Sequence, residues 1–151
     1  MKFRFLVFLL LSQFSFSQNQ LNKTLVGDWQ YVGTYDLSNN KIDDKLYNNR
    51  KITSRIISYK SDSTYISETK YVRKKSKKYY GRWEFSKDSL KLLQATNLKK
   101  SKYRNYPFKK MVIKGEKFTR FFEYHIITLT KYRLVLFDDF HKHKLVYNKV
   151  N

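Results

Sequence analysis

Cysteine is absent from this chain, which excludes thiol nucleophiles, disulfide exchange, structural disulfides and thiolate metal sites. One proline and four glycines leave no material for linkers or low-complexity tracts. Acidic residues are also scarce, 12 against 32 lysines and arginines. No apolar run reaches the ~18 residues that a membrane-spanning helix needs. There is no phosphate-cradling glycine loop, no Ser-His-Asp arrangement and no metalloprotease motif. The adjacent acids Asp43-Asp44 and Asp138-Asp139 would point to opposite faces of a strand, so neither pair forms a catalytic dyad by itself. The chain reads as non-enzymatic and without a cofactor.

What is present begins at the N-terminus. Lys2 and Arg4 precede the apolar run Phe5-Leu6-Val7-Phe8-Leu9-Leu10-Leu11, and Ser15-Phe16-Ser17 places small residues before Gln18. That order is the order of a secretory signal peptide cleaved after Ser17. Residues 1–17 are therefore expected to direct export, leaving residues 18–151 as one domain in the periplasm or outside the cell. Without a cysteine near the cleavage site, a lipid anchor through an N-terminal cysteine is excluded. An exported domain without disulfides relies on packing alone, and a chain of this size buries enough surface to do so.

The formal charge is +20, of which Lys2 and Arg4 account for two. Such a field attracts polyanions. Outside the cytoplasm these are lipid headgroups, acidic polysaccharides and other anionic envelope polymers; the signal peptide argues against nucleic acid. A merely lysine-rich surface is the plainer explanation of the same charge.

Tyrosine (13) and phenylalanine (12) are abundant and, with valine, isoleucine and threonine, favour half-buried pleated surfaces. Residues 18–24 read as polar and either disordered or weakly helical, and Leu25 to Tyr35 as a first strand with Trp29, Tyr31 and Tyr35 on one face. Residues 36–50 have the composition of a loop. Further strands are expected over Lys51–Tyr59, Thr64–Arg73, Tyr79–Phe85, Leu90–Ala95, Glu123–Thr130, Arg133–Phe137 and Lys144–Val150. Met111–Ile113 is expected to pair with Lys117–Phe121. Lys74–Lys78 reads as a basic turn, and Thr96–Lys110 as a basic loop holding Pro107. No stretch sustains a helical period. The expected fold is all-β, an antiparallel up-and-down meander closing into a barrel of about eight strands.

Gly27-Asp28-Trp29 opens the first strand, where glycine permits close backbone approach and tryptophan plugs one barrel end. Later come Tyr80-Gly81-Arg82-Trp83-Glu84-Phe85 with Asp88-Ser89-Leu90-Lys91-Leu92, then Ile126-Ile127-Thr128-Leu129-Thr130 with Leu134-Val135-Leu136. In these residues and their order the chain resembles the lipocalin superfamily, most of all the small lipocalin-like domains of exported bacterial proteins. The resemblance implies a lipocalin-like barrel and binding of a small lipophilic ligand. Gly81-Arg82-Trp83 repeats the Gly-x-Trp spacing, more simply as a recurring strand device than as a duplicated half-barrel.

Period two places Tyr31, Tyr35, Tyr65, Tyr71, Trp83 and Phe85 on the inner wall, with Trp29 closing the base. These side chains could fill the barrel or surround a ligand. The histidines are His125, His141 and His143. His141-Lys142-His143 puts two imidazoles on one strand face, but with no carboxylate at an obvious spacing they read as exposed histidines near a turn, and no metal site is expected. Lys74, Lys75, Lys77 and Lys78, with Lys99, Lys100 and Lys102 among nearby aromatics, could grip an anionic polymer. Two readings follow. One is a binding protein for a small apolar or amphiphilic, anionic ligand; the other is a solid-cored basic protein that docks on an anionic polymer or partner protein.

Overall fold

The computed structural model describes residues 20–43, 52–101 and 109–150. The expected signal peptide, residues 44–50, Lys102 and Pro107 lie outside them. A helical segment over residues 20–25 leads into β1 (Gly27–Tyr35). There follow β2 (Lys41–Ile42), β3 (Ile52–Tyr59), β4 (Thr64–Tyr71), β5 (Lys74–Phe85), β6 (Lys91–Thr96), β7 (Met111–Ile113), β8 (Glu116–Phe118), β9 (Phe122–Leu129), β10 (Arg133–Asp138) and β11 (His143–Lys149). The sheet order is β11-β10-β9-β6-β5-β4-β3-β1-β2, and β11 pairs back onto β1. Eight strands thus close an antiparallel up-and-down barrel, as the sequence led us to expect. The β7–β8 hairpin forms its own two-stranded sheet between β6 and β9.

Short polar turns drive the meander. Asp62 accepts hydrogen bonds from the Thr64 amide and hydroxyl, and Asp88 accepts from Ser86 Oγ and the Leu90 amide. Such local carboxylate bonds stabilise the reversals between β3 and β4 and between β5 and β6. They also hold the Asp62 and Asp88 carboxyls below the usual range.

Four departures from the sequence reading have local causes. Residues 20–25 are helical, so the first strand begins at Gly27 rather than Leu25. The loop expected over 36–50 contains β2, which pairs with the end of β1. Lys74–Lys78 is strand rather than turn: Arg73 takes a left-handed conformation (φ 56°), and the turn tightens to Val72-Arg73. The lysines then pair across to β4, Lys77 opposite Thr69 and Lys78 opposite Glu68. Finally, a β-bulge between Tyr31 and Gly33 reverses the alternation of β1. Thr34 comes opposite Leu145 on the inner face, while Tyr35 comes opposite Lys144, away from the wall where period two placed it.

One half of the barrel is solid. Leu25, Trp29, Tyr59, Leu92 and Leu134 are at most 2% exposed there. Trp29 Nε1 donates to Leu25 O (2.7 Å), tying the helical segment over the barrel end. Lys149 Nζ donates to Thr24 O (2.8 Å) and Val26 O (2.7 Å) and lies 5.0 Å from the Trp29 ring centre. Burial lowers its pKa, yet the two carbonyls and the ring face suit its charged form. Trp83 Nε1 donates to Lys60 O and Thr64 O at 3.1 and 3.0 Å. Both tryptophans therefore combine large apolar burial with a satisfied polar atom.

Gly81 stands opposite Tyr65 on the inner face. A Cβ there would collide with the Ala95 carbonyl oxygen and the Tyr65 ring. Gly81→Ala is expected to lower stability by about 1–3 kcal/mol, as overpacking does. Urea denaturation would read this as a lower midpoint at an unchanged slope.

Candidate functional site

The other half of the barrel is hollow. The ends of β4, β6 and β10 meet the starts of β5, β9 and β11 at one rim, and a cavity of about 860 Å³ opens there. Its wall combines the aromatic rings of Tyr65, Tyr71, Tyr79, Phe122, Tyr124 and Tyr147 with polar groups from Thr69, Gln94 and Thr96. Two guanidinium groups, of Arg55 and Arg120, also face it. The volume and this mixture of apolar wall and few polar groups match a small-molecule site.

Hydrogen bonds hold the deeper wall in shape. Tyr65 Oη and Thr96 Oγ1 share a bond (3.0 Å), as do Tyr31 Oη and Thr34 Oγ1 (2.6 Å). Gln94 Nε2 donates to Tyr59 Oη (2.5 Å). Arg55 Nε donates to Thr69 Oγ1 (3.3 Å), and its guanidinium carbon lies 4.9 Å from the Tyr31 ring centre. Arg55 thus holds a positive charge inside the barrel, braced by the face of Tyr31 and a hydroxyl.

The carboxylates around the cavity are engaged. Glu123 meets Lys91 (2.8 Å), Asp138 meets His141 (2.8 Å) and Asp139 meets His125 (2.6 Å). Burial works against the Asp138 charge, but hydrogen bonds from the His141 ring and backbone keep its carboxyl below the usual range. His143 is buried, so the expectation of exposed histidines holds for His141 and fails for His143. The β10–β11 register causes this, setting His143 directly opposite Asp138. Burial lowers the His143 pKa, while Asp138 opposes that shift.

Of the expected wall residues, Tyr65 and Tyr71 line the cavity. Tyr31 lies behind it, edge-on to Tyr147 with ring centres 5.7 Å apart. Trp29, Trp83 and Phe85 belong to the solid half; Trp83 touches Phe85 and Tyr59 edge-on. Tyr35 faces the other way, as described. Period two in the late strands marks Tyr124 and Tyr147 just as it marks the early aromatics. Arg55 had a signal too, as the cation in the otherwise apolar alternation Arg55, Ile57, Tyr59.

The two basic segments adjoin at the mouth. Ser101 Oγ accepts from the Tyr80 amide (2.9 Å) and donates to Tyr80 O (3.2 Å), bringing residues 97–101 against β5. Asn97 Oδ1 accepts from the Lys99 and Lys100 amides and fixes that turn. Lys78 pairs with Glu68 (3.4 Å) and Lys100 with Glu116 (2.9 Å), whereas Lys74, Lys75, Lys77 and Lys99 are exposed.

Burial pushes the Tyr65 phenol up to about 12, and it also raises Tyr59, Tyr124 and Tyr147. A folded-state pKa above the unfolded value near 10 adds stability that is complete below pH 10. That contribution is lost as pH rises from about 10 to about 12. Alkaline unfolding is therefore expected in this window. An ultraviolet titration should show the exposed tyrosines ionising first and the buried set only with loss of near-ultraviolet circular dichroism.

No family matches this chain and no curated protein does, so the barrel and the chemistry of its open half are what bear on function.

Proposed function

We propose that this chain is an exported, non-enzymatic, lipocalin-like binding protein that holds a small anionic amphiphile in the open half of its barrel. The observation that carries this reading is the charge of Arg55 inside a cavity walled by tyrosine rings. An apolar body would lie against the rings, where each ~25 cal/mol per Å² of buried surface favours binding. An anionic head would pair with a guanidinium, and the neighbouring tyrosine and threonine hydroxyls would orient it. The exposed lysines at the mouth would raise the local concentration of such a ligand.

Neither tryptophan lines the cavity, so calorimetry is the suitable readout. Titration with dodecanoate is expected to show saturable, one-to-one binding that tolerates salt. Arg55→Met should weaken it about tenfold or more, the usual scale for a lost charge-assisted hydrogen bond. Ser67→Phe, which puts a bulky ring into the cavity, should weaken it while the protein stays folded. Saturable binding that neither variant changes would remove the cavity from the reading.

The second reading, docking on an anionic envelope polymer, draws support from the adjoining lysines at the mouth. It expects polymer affinity to fall with salt and the slope to shrink when Lys74, Lys75 and Lys77 are neutralised together. An unchanged slope would exclude it. For export, residues 1–17 fused to a reporter active only outside the cytoplasm should yield activity. A silent fusion would place the protein inside the cell.

A further inference from the structure

Asp138 ends β10 and His143 begins β11, and the two are register partners. Their side chains therefore share the inner face of the barrel. His141 sits in the turn between them, and Lys142 closes that turn in a left-handed conformation (φ 56°). Asp138 Oδ1 accepts from the Phe140 and His141 amides at 2.9 and 3.2 Å, which fixes the carboxylate plane. Its other oxygen, Oδ2, lies 2.8 Å from His141 Nδ1 and 3.9 Å from His143 Nε2. One carboxylate oxygen and two imidazole nitrogens thus lie within 4.8 Å of one another at the rim of the cavity.

We propose that Asp138, His141 and His143 bind one divalent transition-metal ion at the mouth of the barrel, with a further coordination position open to the cavity. Two imidazoles with one carboxylate suit Zn²⁺, Ni²⁺ or Cu²⁺ and not the hard, oxygen-seeking Mg²⁺ or Ca²⁺. Metal bonds of about 2.0–2.2 Å at tetrahedral angles set donors roughly 3.3–3.6 Å apart, so the 3.9 Å Asp138–His143 pair must close slightly and the 2.8 Å Asp138–His141 pair must open slightly. The β10–β11 ladder holds the backbones of Asp138 and His143, whose side chains need only a small rotation, and His141 makes the larger adjustment. Its ring stacks on that of His143, with centres 5.2 Å apart and planes 12° apart, and must tilt for both nitrogens to aim at one point. An exposed turn residue can do this at little cost. The carboxylate plane is already set by two backbone amides on Oδ1. Three protein donors leave a position for water or for an oxygen of a cavity ligand. The site does not depend on the cavity's occupant.

The test is calorimetric titration of the full domain, prepared without a histidine tag and stripped with chelator. ZnCl₂ and NiCl₂ are expected to bind at one site per chain, and MgCl₂ not at all. His141→Ala, at an exposed position, should weaken Zn²⁺ binding at least tenfold with an unchanged circular dichroism spectrum. Asp138→Asn, nearly isosteric, should do the same, and His125→Ala should leave binding intact. Zn²⁺ should raise the melting temperature of the parent protein but not of the His141 and Asp138 variants. Absence of saturable Zn²⁺ binding would overturn the proposal, as would equal binding by the parent and both of those variants. Loss through His125→Ala alone would place the ion elsewhere and overturn it equally.

Discussion

The pairing of β11 with β1 is the constraint on which the rest depends. It runs from Trp29 opposite Lys149 to Tyr35 opposite Lys144, and it turns a sheet with two edges into a closed wall. Closure gives every barrel strand an inside and an outside. It also brings Lys149, near the end of the chain, onto Trp29 and the helical segment near its start. The solid end of the barrel is built from that meeting. One end is plugged by the helical segment and large rings, whereas at the other the rings stand along the wall and leave the barrel open.

The open half is unusual less for its size than for its chemistry. Its tyrosine rings carry hydroxyls, and its interior carries a guanidinium braced by Thr69 and the face of Tyr31. The surrounding carboxylates meet lysine or histidine partners within the same structure. The outer rim adds lysines from two segments held together by Ser101 on Tyr80. The proposed ligand, part apolar and part anionic, would meet each of these features.

Much of the fold was legible because β-structure announces itself locally. Turn residues such as Asp62 and Asp88 separated the strands, and the aromatic alternation put Tyr65 and Tyr71 on the face that lines the cavity. What misled was the bulge. One extra residue between Tyr31 and Gly33 exchanges inside for outside, so Tyr35 left the wall and Thr34 joined it. A similar irregularity in β9 leaves Ile127 more than half exposed, although its composition reads as core. The basic run Lys74–Lys78 read as a turn because its charges are like those of a solvated loop. Cross-strand partners, Glu68 among them, make it strand instead.

By itself, then, the sequence determined the fold class, the number of barrel strands and the tryptophan at the plugged end. Those follow from alternation, turn chemistry and aromatic bulk, which act between near neighbours. Tertiary structure alone decided which half is hollow, which lysines are paired and which strand ends share the mouth. It also decided that Asp138 and His143 stand opposite each other with His141 between them in the turn. These outcomes hang on register and closure, where a shift of one residue changes every partner, and no local pattern records that choice.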